Sequence, residues 1–356
     1  MKYLLLLLLL PLWCPARGQA PATQAALLAL MQRADVPGMQ LVYTHGSKVR
    51  AYALGQRTAG QAAAVDAATT FEAAWLGKAV LAYVTLRLLD QGLLTLDKPL
   101  LTYYAYPRLQ NAANAGKITA RMVLGHTTGL PNWATNPLGP EWPTAPLRLK
   151  YVPDSCWNYS GEGYVFLQKT LEHLTGKSFE TLAREEVFGP LHMKHSSFVW
   201  QARFAADAAS GHDDKSQPVP INHFTAGYAA FSLLSTAADY SRFVRTLMSG
   251  QGLKPVTAQL LLTPANEAKR CGQPATASDE FIAWAAGVGL ATTTQGLAQW
   301  QWGDNGGFKG FYLTLPDRKE TLVFFTNSAN GPKMTDALLR LFLGPGEYHT
   351  AQWLAE

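Results

Sequence analysis

The chain has 356 residues, 48% of them hydrophobic and 15% charged, with 30 basic against 25 acidic side chains. That composition describes a globular protein with a sizeable core and excludes a disordered or membrane-embedded chain. The net charge is mild and no basic block occurs, so nucleic acid is not an expected partner.

The N-terminus carries Lys2 and then a leucine run to Leu10, followed by Ala16-Arg17-Gly18. This pattern predicts a secretory signal over residues 1–18, cleaved before Gln19, and an exported, periplasmic or secreted product. The apolar run is too short for a membrane span. Cys14 would suit a lipoprotein signal, but Trp13 is bulky where such a signal wants a small residue. Loss of Lys2 and Arg17 takes the basic count from 30 to 28 and leaves a net charge of +3. Cys156 and Cys271 remain, far apart; they could pair in an oxidising compartment or stay as buried thiols.

Thr23 to Ala34 has a helical apolar stripe, and Met39–Thr44 with Val49–Leu54 alternate about His45-Gly46-Ser47 as a hairpin. After a small, polar loop over 56–68 comes Phe71-Glu72-Ala73-Ala74-Trp75-Leu76-Gly77-Lys78 and a long apolar helix, predicted to begin near Trp75 and stop at Gly92. Val80, Val84 and Leu88 share one line of it. A lysine at the start of so apolar a helix either snorkels to the surface or needs a partner or a task. Ile118–Leu124 is a short helix with Thr119 as its cap, leading into Gly125-His126-Thr127-Thr128-Gly129. His126 suits a residue that holds this loop through its two ring nitrogens better than a catalytic one. Residues 132–156 are irregular.

Tyr159-Ser160-Gly161 precedes a helix through Val165–Leu174, and Phe179–Val187 forms another. Ser235 or Thr236 caps a helix over Tyr240–Ser249, with Asp239 in its first turn. Strands follow at 297–303, 310–315 and 321–326, then a last helix over Met334–Phe342. Strands near both ends with helices between them predict an α/β (α+β) protein with an antiparallel sheet built from both termini. Residues 19–356 are expected to form one domain, with the sheet portion at about 22–68 and 285–345. An inserted all-helical portion at about 75–284 would leave a cleft between the two parts.

Five stretches in this order resemble the serine β-lactamase and penicillin-binding protein superfamily, in its class C β-lactamase-like esterase and D-peptidase branch. They are Leu96-Asp97-Lys98-Pro99, Ile118-Thr119 through His126-Thr127-Thr128-Gly129-Leu130, Tyr159-Ser160-Gly161, Ser235-Thr236-Ala237-Ala238-Asp239, and Gln301-Trp302-Gly303-Asp304, and ahead of them Trp75-Leu76-Gly77-Lys78 stands at the family's nucleophile motif. The resemblance implies acyl transfer, in which a serine attacks a carbonyl, Lys78 and Tyr159 handle its proton and two backbone N–H groups hold the oxyanion. By position those donors would be Trp75 and Asp304, and Gln301 would line the substrate's carboxylate side. Three positions depart from the family pattern. Gly161 stands for Asn, Gln301 for Lys or His, and Trp75 for the nucleophilic Ser; the chain has no Ser-x-x-Lys. The implied product is a catalytically impaired cleft binder of small-molecule, peptide or ester-like ligands. An active hydrolase with another nucleophile or a recent Ser-to-Trp change is the alternative. No metal-ligand spacing or phosphate-cradling loop occurs, so no cofactor or metal is expected.

Overall fold

The computed structural model describes residues 21–356; the expected signal over 1–18 lies outside them. Helix α1 (Pro21–Ala34) leads into the hairpin β1 (Gly38–His45) and β2 (Lys48–Gly55), as the alternation predicts. Strand β3 (Phe71–Ala74) is followed by α2 (Gly77–Asp90), α3 (Ala120–Leu124), α4 (Gly161–Thr175) and α5 (Phe179–Ala183). The short strands β4 (Gly211–His212), β5 (Pro218–Val219) and β6 (Leu233–Ser235) precede α6 (Ala237–Ser249) and α7 (Pro255–Gln259). The chain closes with β7 (Ile282–Trp284), β8 (Gly289–Thr293), β9 (Gly296–Asp304), β10 (Lys309–Leu315), β11 (Glu320–Thr326), α8 (Thr335–Leu343) and α9 (Thr350–Ala355).

The main sheet runs in the order β2-β1-β11-β10-β9-β8-β7, antiparallel throughout. The two ends of the chain meet where β1 pairs with β11, Val42 opposite Val323. Alternation then divides the sheet's side chains between two cores. Leu41, Phe324 and Leu313 face α1, α8 and Trp353 of α9, while Val42, Val323, Phe325 and Tyr312 face α2 and α6. Each fully buried Leu or Phe contributes about 1.5–3 kcal/mol, which makes this double-sided sheet the rigid part of the molecule.

Helix α2 lies in the middle of the second core. Residues 77–86 and Leu88 are buried, a pattern without a solvent face. Gly77 lets it sit that deep, because a Cβ there would lie 2.4 Å from the Ala229 carbonyl oxygen. Caps match the sequence in detail. Thr119 accepts from the Met122 N–H at 3.3 Å, and of the two candidates for α6 it is Thr236 that accepts from Asp239, at 3.2 Å.

One expectation is corrected. The helix expected to begin near Trp75 begins at Gly77, because 71–74 pair with β6 as a strand. Within the insert the helices are accompanied by the short strands β4 and β5, which pair with each other, and β6, which pairs with β3 just ahead of it. The strands of the main sheet resume at Ile282.

Cys156 and Cys271, whose pairing the sequence left open, form a disulfide with Cα atoms 5.2 Å apart. It is flanked by backbone bonds from Trp157 N–H to the Lys269 carbonyl (2.7 Å) and from Cys271 N–H to the Trp157 carbonyl (2.9 Å). These ties fasten the segment that carries Tyr159 to the loop before β7. A cross-link over 115 residues chiefly restricts the unfolded chain. The double variant Cys156→Ser, Cys271→Ser is expected to lose about 2–5 kcal/mol of unfolding free energy in urea titration.

Candidate functional site

The site is built on the turn between β3 and α2. The β3–β6 pairing is irregular between Glu72 and Ala74, and Ala74 takes φ 53°, a left-handed conformation uncommon for a residue with a Cβ. Trp75 follows, with its ring partly exposed. Strand β9 presses on this turn. A Cβ on Gly303 would lie 2.4 Å from the Ala73 carbonyl oxygen and 3.3 Å from the Leu76 nitrogen. Only glycine permits that approach, which brings the backbone of Gly303-Asp304 alongside that of Trp75-Leu76.

Lys78, one residue into α2, does not snorkel; it is fully buried. Its Nζ donates to the Ala230 carbonyl at 2.8 Å and otherwise meets rings: Tyr159 at 4.8 Å, Trp75 at 5.3 Å and Tyr164 at 5.7 Å to the centroids. No acidic side chain pairs with it among the described residues. Burial therefore holds the Lys78 amine well below the usual lysine range.

Tyr159 comes from the segment just ahead of α4. Its ring stacks on His126 (4.4 Å) and lies tilted against Trp302 (5.0 Å) and Trp75 (5.3 Å). Its hydroxyl is out of solvent and makes no hydrogen bond, and burial pushes it well above the usual phenol range. His126 lies behind it in a left-handed conformation, φ 56°. Its Nδ1 accepts from the Ser160 N–H at 3.1 Å, which leaves the proton of the neutral ring on Nε2. That Nε2 has no partner, so the loop is held through one ring nitrogen rather than two. Burial first and the neighbouring Lys78 second keep the imidazole well below its ordinary range. Ser160 is committed elsewhere: its hydroxyl donates to the Pro131 carbonyl (2.8 Å) and accepts from the Gly163 N–H (2.9 Å), capping α4.

On β9 the alternation separates two sets of side chains. Gln301 is fully buried and neither atom of its amide finds a hydrogen bond. Trp302 instead turns to Tyr159 and to Trp75, 6.2 Å away. Asp304 is partly exposed, paired with Lys309, and accepts from the Gly306 N–H at 2.8 Å. At Gly161 the space of a side chain is taken by the Trp133 indole, whose Cη2 lies 2.3 Å from where a Cβ would be. The structure thus gathers Trp75, Lys78 and Tyr159 into one cluster with Gly303 and Asp304 beside it and Gly161 two residues beyond Tyr159. Trp302, Tyr164 and Trp133 are the members that sequence reasoning missed. The alternation of Trp300 and Trp302 on a strand was the available signal for one of them. Among the described residues no group of three or more His, Cys, Asp or Glu side chains is placed to hold a metal ion.

A beta-lactamase family model matches residues 23–343. The chain belongs to the beta-lactamase family. Among its relatives, penicillin-binding protein 4 of Amycolatopsis lactamdurans is 24% identical over 339 residues, 89% of this chain and 87% of that one. Esterase EstB of Burkholderia gladioli is 29% identical over 216 residues, 54% of each chain. Among solved structures, a class C beta-lactamase superposes with a TM-score of 0.76 at 19% identity, covering 90% of this chain and 94% of the other; that likeness concerns the fold. The antiparallel sheet with flanking helices is the class C beta-lactamase fold.

The Trp133–Gly161 exchange is testable as a coupled pair. Gly161→Asn is expected to cost about 1–3 kcal/mol through overpacking, and in a Trp133→Ala background most of that cost should vanish. A double-mutant cycle in urea measures the coupling.

Proposed function

We propose that this family member is exported and that its cleft binds a peptide or ester-like ligand without turning it over by acyl transfer. The observation that carries this reading is Trp75. It sits on the turn three residues before Lys78, where the family resemblance puts a serine hydroxyl, and its indole lies against the Lys78 amine and the Tyr159 ring. An indole offers no oxygen to form an acyl ester, and its bulk takes up the space of the scissile group. Loss of the nucleophile in well-studied triads leaves only about 10³–10⁴-fold over water. The neighbouring Ser160 hydroxyl is used as a helix cap, so it does not substitute. Trp75, Tyr159 and Trp302 supply an apolar, aromatic contact surface, and the relatives named as a penicillin-binding protein and an esterase suggest the ligand classes. The leucine run ahead of Ala16-Arg17-Gly18 supports export, and among the described residues no helix is long and apolar enough to cross a membrane.

Active hydrolysis is a second reading, favoured by the retention of Lys78 and Tyr159, which are in contact, and by the left-handed Ala74 before the turn. Backbone strain of that kind, about 1–3 kcal/mol, tends to survive where a site needs it. Incubation with a fluorescent penicillin and with a fluorophosphonate, followed by mass spectrometry, separates the two. The parent protein is expected to give no covalent adduct and Trp75→Ser to acquire one at residue 75. An adduct on the parent chain would establish the hydrolase reading instead.

A further inference from the structure

The proposed binding role makes no use of the Lys78 amine, and without a serine beside it that amine has no proton to take. It is nevertheless set up as a nucleophile. It is fully buried, lacks an acidic partner among the described residues and has one hydrogen bond, to Ala230. Burial favours its uncharged form, which carries the lone pair. The amine lies over the Tyr159 ring, 4.8 Å from its centroid, and the Tyr159 hydroxyl is out of solvent with no hydrogen-bond partner among the described residues. The wall between this pair and solvent is Trp75. Its ring is partly exposed and held by contacts with Tyr159 and Trp302, and its indole N–H bonds to none of the described residues. It also lies over the Lys78 amine and packs against the core, and with no hydrogen bond to break, a change of rotamer that opens the way in needs only these contacts to give.

We propose that Lys78 captures neutral aromatic aldehydes as an imine, with the arene stacked on Tyr159 and Trp302 in the place of the Trp75 indole. The Nζ lone pair attacks the carbonyl carbon, and one Nζ proton passes to the carbonyl oxygen to give the carbinolamine. The remaining Nζ proton is then relayed through the Tyr159 hydroxyl to the carbinolamine hydroxyl as the C–O bond breaks and water leaves, so that no free phenolate forms. Lysine amine and aldehyde have become imine and one water, with no oxidant or reductant consumed. An aromatic aldehyde suits the site because its ring replaces the indole contact that must open, and because a buried pocket with no free charge disfavours an anion.

The test is reductive trapping. The protein is incubated with benzaldehyde and cyanoborohydride near pH 7, where ordinary lysines are protonated, and the benzylated sites are mapped by peptide mass spectrometry. Lys78 is expected to be modified about tenfold faster than the average surface lysine, as desolvated amines can be, and faster still in Trp75→Ala. Glyoxylate, small and anionic, is expected to show no preference for Lys78. The proposal is overturned if Lys78 stays unmodified in both the parent and Trp75→Ala while surface lysines react. Equal preference for glyoxylate would overturn the choice of aromatic substrates. The outcome is independent of the acyl-transfer question, because penicillin labelling of Trp75→Ser reports on residue 75 and imine trapping reports on Nζ.

Discussion

A lysine amine with no counter-ion sits in the middle of the fold, and the arrangement of rings around it follows from that. Taking a charged ammonium out of water costs several kcal/mol even after relaxation. The compensation available to Lys78 is one bond to the Ala230 carbonyl and the faces of Trp75, Tyr159 and Tyr164. Desolvated cation–π contacts reach about 2 kcal/mol each at best, so the neutral amine is the form that burial selects. The same rings exclude water from the Tyr159 hydroxyl and His126 Nε2, which leaves a cluster of polar atoms with no partner in the protein. Unpaired buried groups of this kind each cost about 1–3 kcal/mol.

What keeps the cluster in place is the frame around it. Helix α2 has no solvent face and enters at Gly77 with no room for a side chain; β9 presses on the preceding turn through Gly303. The disulfide and its flanking backbone bonds fix the approach to Tyr159. Trp75 is partly exposed and is kept in place by packing, against Tyr159, Trp302, the Lys78 amine and the edge of the core, with no hydrogen bond from its indole to any described residue. The geometry therefore combines a rigid amine and phenol with an aromatic cover, and both proposals for this site depend on that contrast.

Much of this was legible in the sequence, for reasons that are local. The hairpin about Gly46, the apolar periodicity after Lys78 and the Thr119 cap depend on nearby residues, and motif order along the chain was enough for the fold. Strand β3 was missed because four residues with an irregular pairing carry no periodicity, and its partner β6 lies some 160 positions away, as Phe71 opposite Ser235 shows. The Cys156–Cys271 bridge joins two loops whose approach depends on the finished sheet. The exchange of a side chain at Gly161 for the Trp133 indole is likewise a matter of packing between distant segments. Gln301 was placed on the right strand, yet whether its amide would meet solvent or be buried depends on how Trp302 and Tyr159 pack beside it.

The state of the Lys78 amine is the most direct test. With lysines labelled at the ε-carbon, NMR titration follows each side chain through its ionisation. The account predicts one resonance, absent in Lys78→Met, displaced upfield by the surrounding rings. Because burial lowers the folded-state pKa, its proton should be lost well below the pH at which the other lysines titrate, and the signal should move toward theirs in Trp75→Ala. A Lys78 resonance with no ring shift that titrates together with the surface lysines would contradict it.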